Sequence, residues 1–408
     1  MSLAFVLSLA LSQAPVEAAS AEQPAVAESK PTPTPAPAPQ TPPVNKDVVL
    51  AGAGAGTQVP GTSMLVNQEV PWWQRVTLGG FARVGLFYTF PFRDEQLVGG
   101  NGGFRLADFR LGLDFHPIEK FSVYTSLELA APLVDPNDPL SGRRIIDLRD
   151  AYAQYDLCPG FRIRVGQQRP PYYAEMLMAD GAVPFVNRSV LANGINPPEG
   201  FGPRNYLAPD RQLGVQFFSK RLGSELLGFK YAVGVFNGNG QNQLFNDNNS
   251  VEPVARVEFD VKQIVTLGLN GYYNQRTDGV RPNRLTTNQI AYGADLSATG
   301  YGFTGMLAFL GKSSTYSYGG LPPDSSLGAL AQVRYFHEQT GLEGAVRGAF
   351  YEPSSAQTDD QVIEIAAMVG WRPFKLPFRV LAQYTHREEE ARASYPNDSV
   401  DVMLHAVW

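Results

Sequence analysis

Ser399-Val400-Asp401-Val402-Met403-Leu404-His405-Ala406-Val407-Trp408 ends the sequence with unbroken alternation. Val400, Val402, Leu404, Ala406 and Trp408 make one face; Ser399, Asp401, Met403, His405 and Val407 make the other. Successive side chains of an extended chain point to opposite sides, so this is a strand with one apolar and one mixed face. A soluble sandwich would alternate too, but would not need to end on an aromatic.

Working back from Trp408, the same rhythm recurs as far as Arg75, over roughly eight to twelve residues at a time, punctuated by Gly, Pro, Asn and Asp. The strands run over 76–90, 104–116, 121–132, 145–157, 161–168, 211–219, 228–236, 252–261, 264–275, 289–299, 301–311, 328–338, 341–351, 361–371, 377–388 and 398–408, an even sixteen. Their connections sort by length. Short ones (117–120, 158–160, 262–263, 300, 339–340, with 220–227 and 372–376 somewhat longer) alternate with longer ones at 91–103, 133–144, 169–210, 237–251, 276–288, 312–327, 352–360 and 389–397. Short turns on one rim and long loops on the other are the arrangement of a transmembrane antiparallel β-barrel, with the short turns periplasmic.

The lipid face follows from parity. Val84/Leu86/Tyr88, Phe109/Leu111/Leu113/Phe115, Phe161/Ile163/Val165, Leu213/Val215/Phe217, Ala255/Val257/Phe259 and Ile363/Ile365/Ala367/Val369/Trp371 continue the apolar face. Asp147 and Arg149 share the parity of Ala151, Ala153 and Tyr155, so they sit near the outer rim or the register slips there. Sixteen strands enclose a lumen too wide for side chains to fill, which implies a water-filled channel in an outer membrane.

The segment before the barrel has a different composition. Residues 1–21 read as a signal peptide, with an apolar stretch from Leu3 to Leu11 and Ala19-Ser20-Ala21 at the cleavage point, or cleavage after Ala18. The lack of Lys or Arg ahead of Leu3 points to a misplaced start. Residues 22–74 are Pro/Ala-rich, and Pro31 to Pro39 alternates proline with Thr or Ala, an extended spacer rather than a folded unit. Cys158 is the single cysteine, so no intramolecular disulfide forms. No apolar run approaches the roughly 20 residues of a membrane helix. A net charge of −6 argues against nucleic acid as a partner.

On the inward parity lie Arg83, Arg110, Arg162, Arg164, Lys230, Arg256, Arg334, Arg347, Arg379 and Arg387, roughly balanced by acids such as Asp108, Asp114, Glu128, Asp150, Asp295, Glu343 and Glu364. Selectivity therefore depends on placement. Arg83, Arg110, Arg162 and Arg164 come from the first, second and fifth strands, one arc of wall. Arg162 and Arg164 share a face about 7 Å apart, at about 3.3 Å per residue. The planar guanidinium binds carboxylate, sulfate or phosphate in bidentate fashion, so these residues can form a short anion-passing series. Alternatively, each pairs with a lumen acid and stiffens the wall. The 169–210 connection exceeds what a hairpin needs, and such loops are usually functional. As third of the long loops it is placed to enter the lumen as a constriction. It carries Arg169, Arg188 and Arg204 against Glu175, Asp180, Glu199 and Asp210.

Several stretches resemble one family. They are Phe104-Arg105-Leu106-Ala107-Asp108-Phe109-Arg110-Leu111-Gly112-Leu113; Asp147-Leu148-Arg149-Asp150-Ala151-Tyr152-Ala153-Gln154-Tyr155; Phe161-Arg162-Ile163-Arg164-Val165-Gly166-Gln167-Gln168-Arg169-Pro170-Pro171; Pro184-Phe185-Val186-Asn187-Arg188-Ser189; and Asp210-Arg211-Gln212-Leu213-Gly214-Val215-Gln216. Together these are similar to the phosphate-selective porins of the porin O and porin P type; from 219 to 408 the match is architectural only. The resemblance implies a homotrimer of sixteen-stranded barrels in the outer membrane of a Gram-negative bacterium, with small anions such as phosphate as solutes. It makes Arg110, Arg162, Arg164 and Arg169 candidate anion contacts, to which the constriction adds Arg188 and the wall Arg83. The terminal strand and Trp408 resemble the signal read by the barrel assembly machinery. Gln167-Gln168-Arg169 departs from the family's frequent Gln-Phe-Lys, and the third loop has no lysine. A non-selective diffusion porin is the competing reading, and a structural or adhesion barrel a third. The four histidines, His116, His337, His386 and His405, sit in no catalytic motif, and neither metal-ligand spacing nor a phosphate-cradling glycine loop is present, so no enzyme, metal or cofactor is expected.

Overall fold

A computed structural model describes residues 72–90, 103–135, 138–193, 207–243, 245–278, 284–317, 322–358, 360–373, 376–391, 393–396 and 398–408. The expected signal peptide (1–21), all but the last residues of the 22–74 segment, and 194–206 of the long loop lie outside the described residues.

Sixteen long strands follow in order: β1 (Val76–Thr89), β2 (Gly103–Ile118), β3 (Phe121–Asp135), β4 (Asp138–Cys158), β5 (Phe161–Gln168), β6 (Gln212–Phe218), β7 (Leu227–Phe236), β8 (Glu252–Val261), β9 (Val265–Asp278), β10 (Leu285–Gly300), β11 (Phe303–Tyr316), β12 (Asp324–His337), β13 (Leu342–Glu352), β14 (Val362–Trp371), β15 (Phe378–Ala391) and β16 (Ser399–Val407). Two short paired pieces, Leu222–Gly223 and Ala393–Pro396, lie against β7 and β15. Each strand pairs antiparallel with its neighbours in sequence, and β1 also pairs with β16, so the sheet closes on itself. Closure extends one residue further, where Gly80 and Trp408 exchange backbone hydrogen bonds of 3.0 and 3.1 Å. The indole lies across Gly80. A Cβ there would fall 2.2 Å from the Arg110 carbonyl oxygen and 2.9 Å from the ring.

The barrel is inside-out relative to a soluble protein. Along β14, Ile363, Ile365 and Val369 are 44, 55 and 66% exposed, while Glu364 is fully buried between them. In water the apolar residues would be buried and the carboxylate exposed. The same inversion on β1, β6 and β16 makes a continuous apolar outer band far larger than the few hundred Å² a soluble monomer tolerates. Lipid is its solvent. The exposed faces are those the parity rule assigns, with Val84, Leu86, Leu213, Val402 and Leu404 all outward.

Bulges account for one departure from the sequence reading and decide one alternative it left open. The loop expected at 133–144 is mostly strand: β3 and β4 stay paired out to Asp135 and Asp138. Prolines 132, 136 and 139 end the alternation there, yet pairing resumes after three register shifts that absorb the extra residues. One shift also settles Asp147 and Arg149. Ser126 faces Asp150 but Leu127 faces Leu148, so Arg149 is the extra residue and Leu148 and Asp147 exchange faces. Asp147 thereby turns inward, accepting from the amides of Gln241 and Asn242, and Arg149 donates to Gln241 at 3.0 Å.

Candidate functional site: the lumen and its inserted loop

The 169–210 loop lies inside the barrel. The inner faces of β7 to β14 carry an apolar cluster among their charged residues, with Phe236, Val254, Tyr272, Met306, Leu310 and Tyr351, and it packs against Tyr172, Tyr173, Met176, Leu191 and Leu207 of the loop. Leu191 and Leu207 rest on Gly328 of β12, where even a Cβ would come within 2.8 Å of both. Phe185 and Val186 fill a second cluster with Phe87, Met368, Leu381 and Met403.

Four wall arginines then clamp the loop by its backbone. Arg83 donates to the carbonyl of Val186 (3.0 Å), Arg256 to Tyr172 (2.6 Å), Arg347 to Asn187 (2.9 Å) and Arg379 to Val183 (2.6 Å). A charged group survives burial only when paired and hydrogen-bonded, and each has a carboxylate near it: Asp108, Asp295, Glu364 and Glu343 respectively. Arg256 reaches Asp295 with two bonds of 2.7 Å although β9 runs between their strands. It crosses at Gly268, where a Cβ would stand 2.2 Å from Arg256 Nη2. Arg221 crosses Gly228 to Asp260 in the same way.

Three of the sequence-nominated arginines converge. Asp180, on a short 3₁₀ turn of the loop, accepts from Arg110 of β2, from Arg169 at 2.9 Å and from Arg188 at 2.6 Å. Burial alone would raise the pKa of Asp180, but the charges of Arg169, Arg110, Arg188 and Arg211 outweigh it and hold the carboxyl well below the usual range. Arg110 is also bonded to Glu128 at 3.1 Å. Arg162 and Arg164 sit elsewhere on the wall, nearer the short-turn rim. Arg162 makes a bidentate pair with Asp156 at 2.8 and 2.7 Å. Arg164 donates to Gln154 at 2.7 Å and lies 4.2 Å above the Tyr152 ring, and both guanidiniums flank Phe218 at 4.9 and 5.0 Å. Arg83 is one of the loop clamps.

Sequence reasoning passed over Arg211, buried on Asp150 at 2.9 Å beside this group. The sequence reading had it as the first residue of the 211–219 strand, but its partner sixty-one positions away was not visible. Glu175 had been counted only as a loop charge. It is buried and organises the loop, accepting from Tyr173, from both the backbone and the hydroxyl of Ser189, and lying 3.9 Å from Arg347.

No family model and no curated protein matches the chain. Solved structures do. The outer membrane channel DcaP of Acinetobacter baumannii superposes with a TM-score of 0.57 at 14% identity, over 82% of this chain and 97% of that one. An anion-selective porin from Comamonas acidovorans gives 0.56 at 14%, over 82 and 99%. A loop-deletion mutant of OmpT, an outer membrane protein of Vibrio cholerae, gives 0.54 at 11%, over 82 and 99%. The fold is that of the porin barrels of Gram-negative outer membranes. At such identities the likeness concerns the path of the backbone.

Proposed function

We propose that this chain is an outer-membrane channel for passive diffusion of small hydrophilic solutes, with a preference for anions. One observation carries the reading. Guanidinium groups gather where the inserted loop meets the β2–β6 wall: Arg110, Arg169 and Arg188 on one carboxylate, Arg211 beside them, and Arg162 and Arg164 further along. Phosphate or another oxyanion fits such groups chemically, and the sequence resemblance to the phosphate-selective porins points the same way. That resemblance also supports a homotrimer, and the exposed Trp408 at the closing seam suits a role in assembly-machinery recognition. The spacer reading of the N-terminal segment belongs to the same proposal.

The pairing of Arg162 with Asp156 and of Arg110 with Glu128 favours a second reading, a non-selective diffusion porin with locally neutral walls. Reversal potentials in a planar bilayer with a salt gradient separate the two. Replacing Arg162 and Arg164 together by Glu changes the charge by −4, two units at each of two positions. At an effective dielectric near 20, one unit charge about 6 Å from a permeating ion contributes roughly 2–3 kcal/mol. The wild type then favours chloride over potassium and the double variant loses or inverts that preference. An unchanged reversal potential supports the non-selective reading.

A further inference from the structure

We propose that Asp180 is a tethered anion seated in the channel's own anion-binding site, a three-arginine cradle fitted to the carboxylate or phosphate group of a solute. The proposal rests on the anion-channel reading and says where such a solute would bind and why it does not stay. Asp180 Oδ1 accepts from Arg169 and Arg188, and Oδ2 from Arg110. One carboxylate thus meets three guanidinium groups brought from separate places in the chain, on the wall, at the loop's start and further along it.

The cradle keeps its shape without Asp180. Arg110 is oriented by Glu128 at 3.1 Å and by the Phe81 ring at 5.0 Å. Arg169 is held by the carbonyls of Met176 and Met178 at 2.6 and 2.7 Å. Arg188 is held by the carbonyls of Glu175 and, at 2.7 Å, Met178. Donors fixed independently of their acceptor are a preorganised site. Donor capacity is also left over: Arg169 Nε is buried and has no hydrogen-bond partner. The Asp180 side chain retains 11% exposure, so the site has an opening.

A conducting pathway must bind a solute well enough to admit it and weakly enough to release it. Without Asp180, three guanidinium groups, of which Arg110 alone keeps a carboxylate partner in Glu128, would hold an oxyanion too firmly. Asp180 competes at the high effective concentration of a tethered group and converts a trap into a point of transit.

Asp180→Ala in the full-length barrel tests this. Inorganic phosphate should block the chloride current of the variant at a concentration at least tenfold lower than it blocks the wild type. Formate, which replaces the missing carboxylate, should raise the unfolding midpoint of the variant and leave the wild type unchanged. Asp180→Asn, which keeps the shape and drops the charge, should fall between the two and serves if the alanine variant does not fold. Variants that respond to neither ion overturn the cradle; paired with a chloride preference in the wild type, that result leaves the transport reading standing. Formate stabilisation of the variant in a barrel whose wild type shows no anion preference supports the cradle and removes only the anion preference from the proposed function.

Discussion

Adding one methyl group at Gly268 should unfasten the inserted loop. The Cβ of Gly268→Ala would stand 2.2 Å from Arg256 Nη2 and 2.6 Å from Asp295 Oδ1, distances at which the guanidinium must move. Both Arg256–Asp295 bonds are 2.7 Å, so a shift of about 1 Å ends them as hydrogen bonds. Asp295 is then left buried with its main partner gone, a change that costs about 3–5 kcal/mol when a buried pair is broken on one side. The Tyr172 carbonyl loses its donor as well. Arg256→Met should behave alike, and Asp295→Asn added to it should recover part of the loss by removing the stranded charge. Urea unfolding in detergent reads the stability, and open-channel current noise reads the loosened loop. Gly348→Ala is the control, since a Cβ there meets nothing within 4 Å. An unfolding midpoint for Gly268→Ala equal to that of Gly348→Ala would refute the crossing and with it the clamp.

Other outcomes test other parts. Gly80→Val should impair barrel closure, because its side chain meets the Trp408 ring and the Arg110 carbonyl; heat-modified migration on gels would show the unclosed form. Removing Trp408 should lower the amount of barrel recovered from the outer membrane, and a normal yield counts against its role at the seam. Ile365→Arg places a charge on the lipid face and should cost about 2–4 kcal/mol near the midplane, seen as reduced insertion into vesicles. For pH, Asp180 has a folded pKa below its unfolded value, so its contribution is present above the ordinary carboxylate pKa of about 3.9 and is lost only as pH falls through the lower folded value. The difference in unfolding stability between the wild type and Asp180→Asn should therefore be the same at pH 5 and pH 7, and a change between them would mean that Asp180 is not held this way.

Much of the barrel was legible because a strand in lipid advertises itself at every second residue. The bounds 161–168 and 252–261 coincide with β5 and β8. Where an extra residue enters, as at Arg149, the sequence showed a parity conflict that left the outer rim and a register slip as alternatives, and only the paired neighbour strand decides for the slip. The site was half readable. Parity put Arg83, Arg110, Arg162 and Arg164 on the inner wall, and loop length marked 169–210 as inserted. Parity names a face and never a partner, however. That Arg110, Arg169 and Arg188 share Asp180, and that Arg256 passes over Gly268 to a strand two places away, depends on the curvature of the closed sheet. Inward arginines on β8, β13 and β15 looked equivalent to those on β2 and β5, yet they grip the loop.

The clamps bear on how intake would be controlled. A loop held at four carbonyls by arginines that are themselves buried and paired has no cheap second position for its described part. Swinging it aside would strand several charges at once, which membrane voltage or a passing solute supplies too little energy to do. Any opening bordered by the described part of the loop would therefore be set when the chain folds. For any solute that uses this route, the throughput of a single barrel is a constant, and a cell would adjust supply by the number of barrels it installs, as a building regulates inflow by how many fixed vents it has rather than by valves.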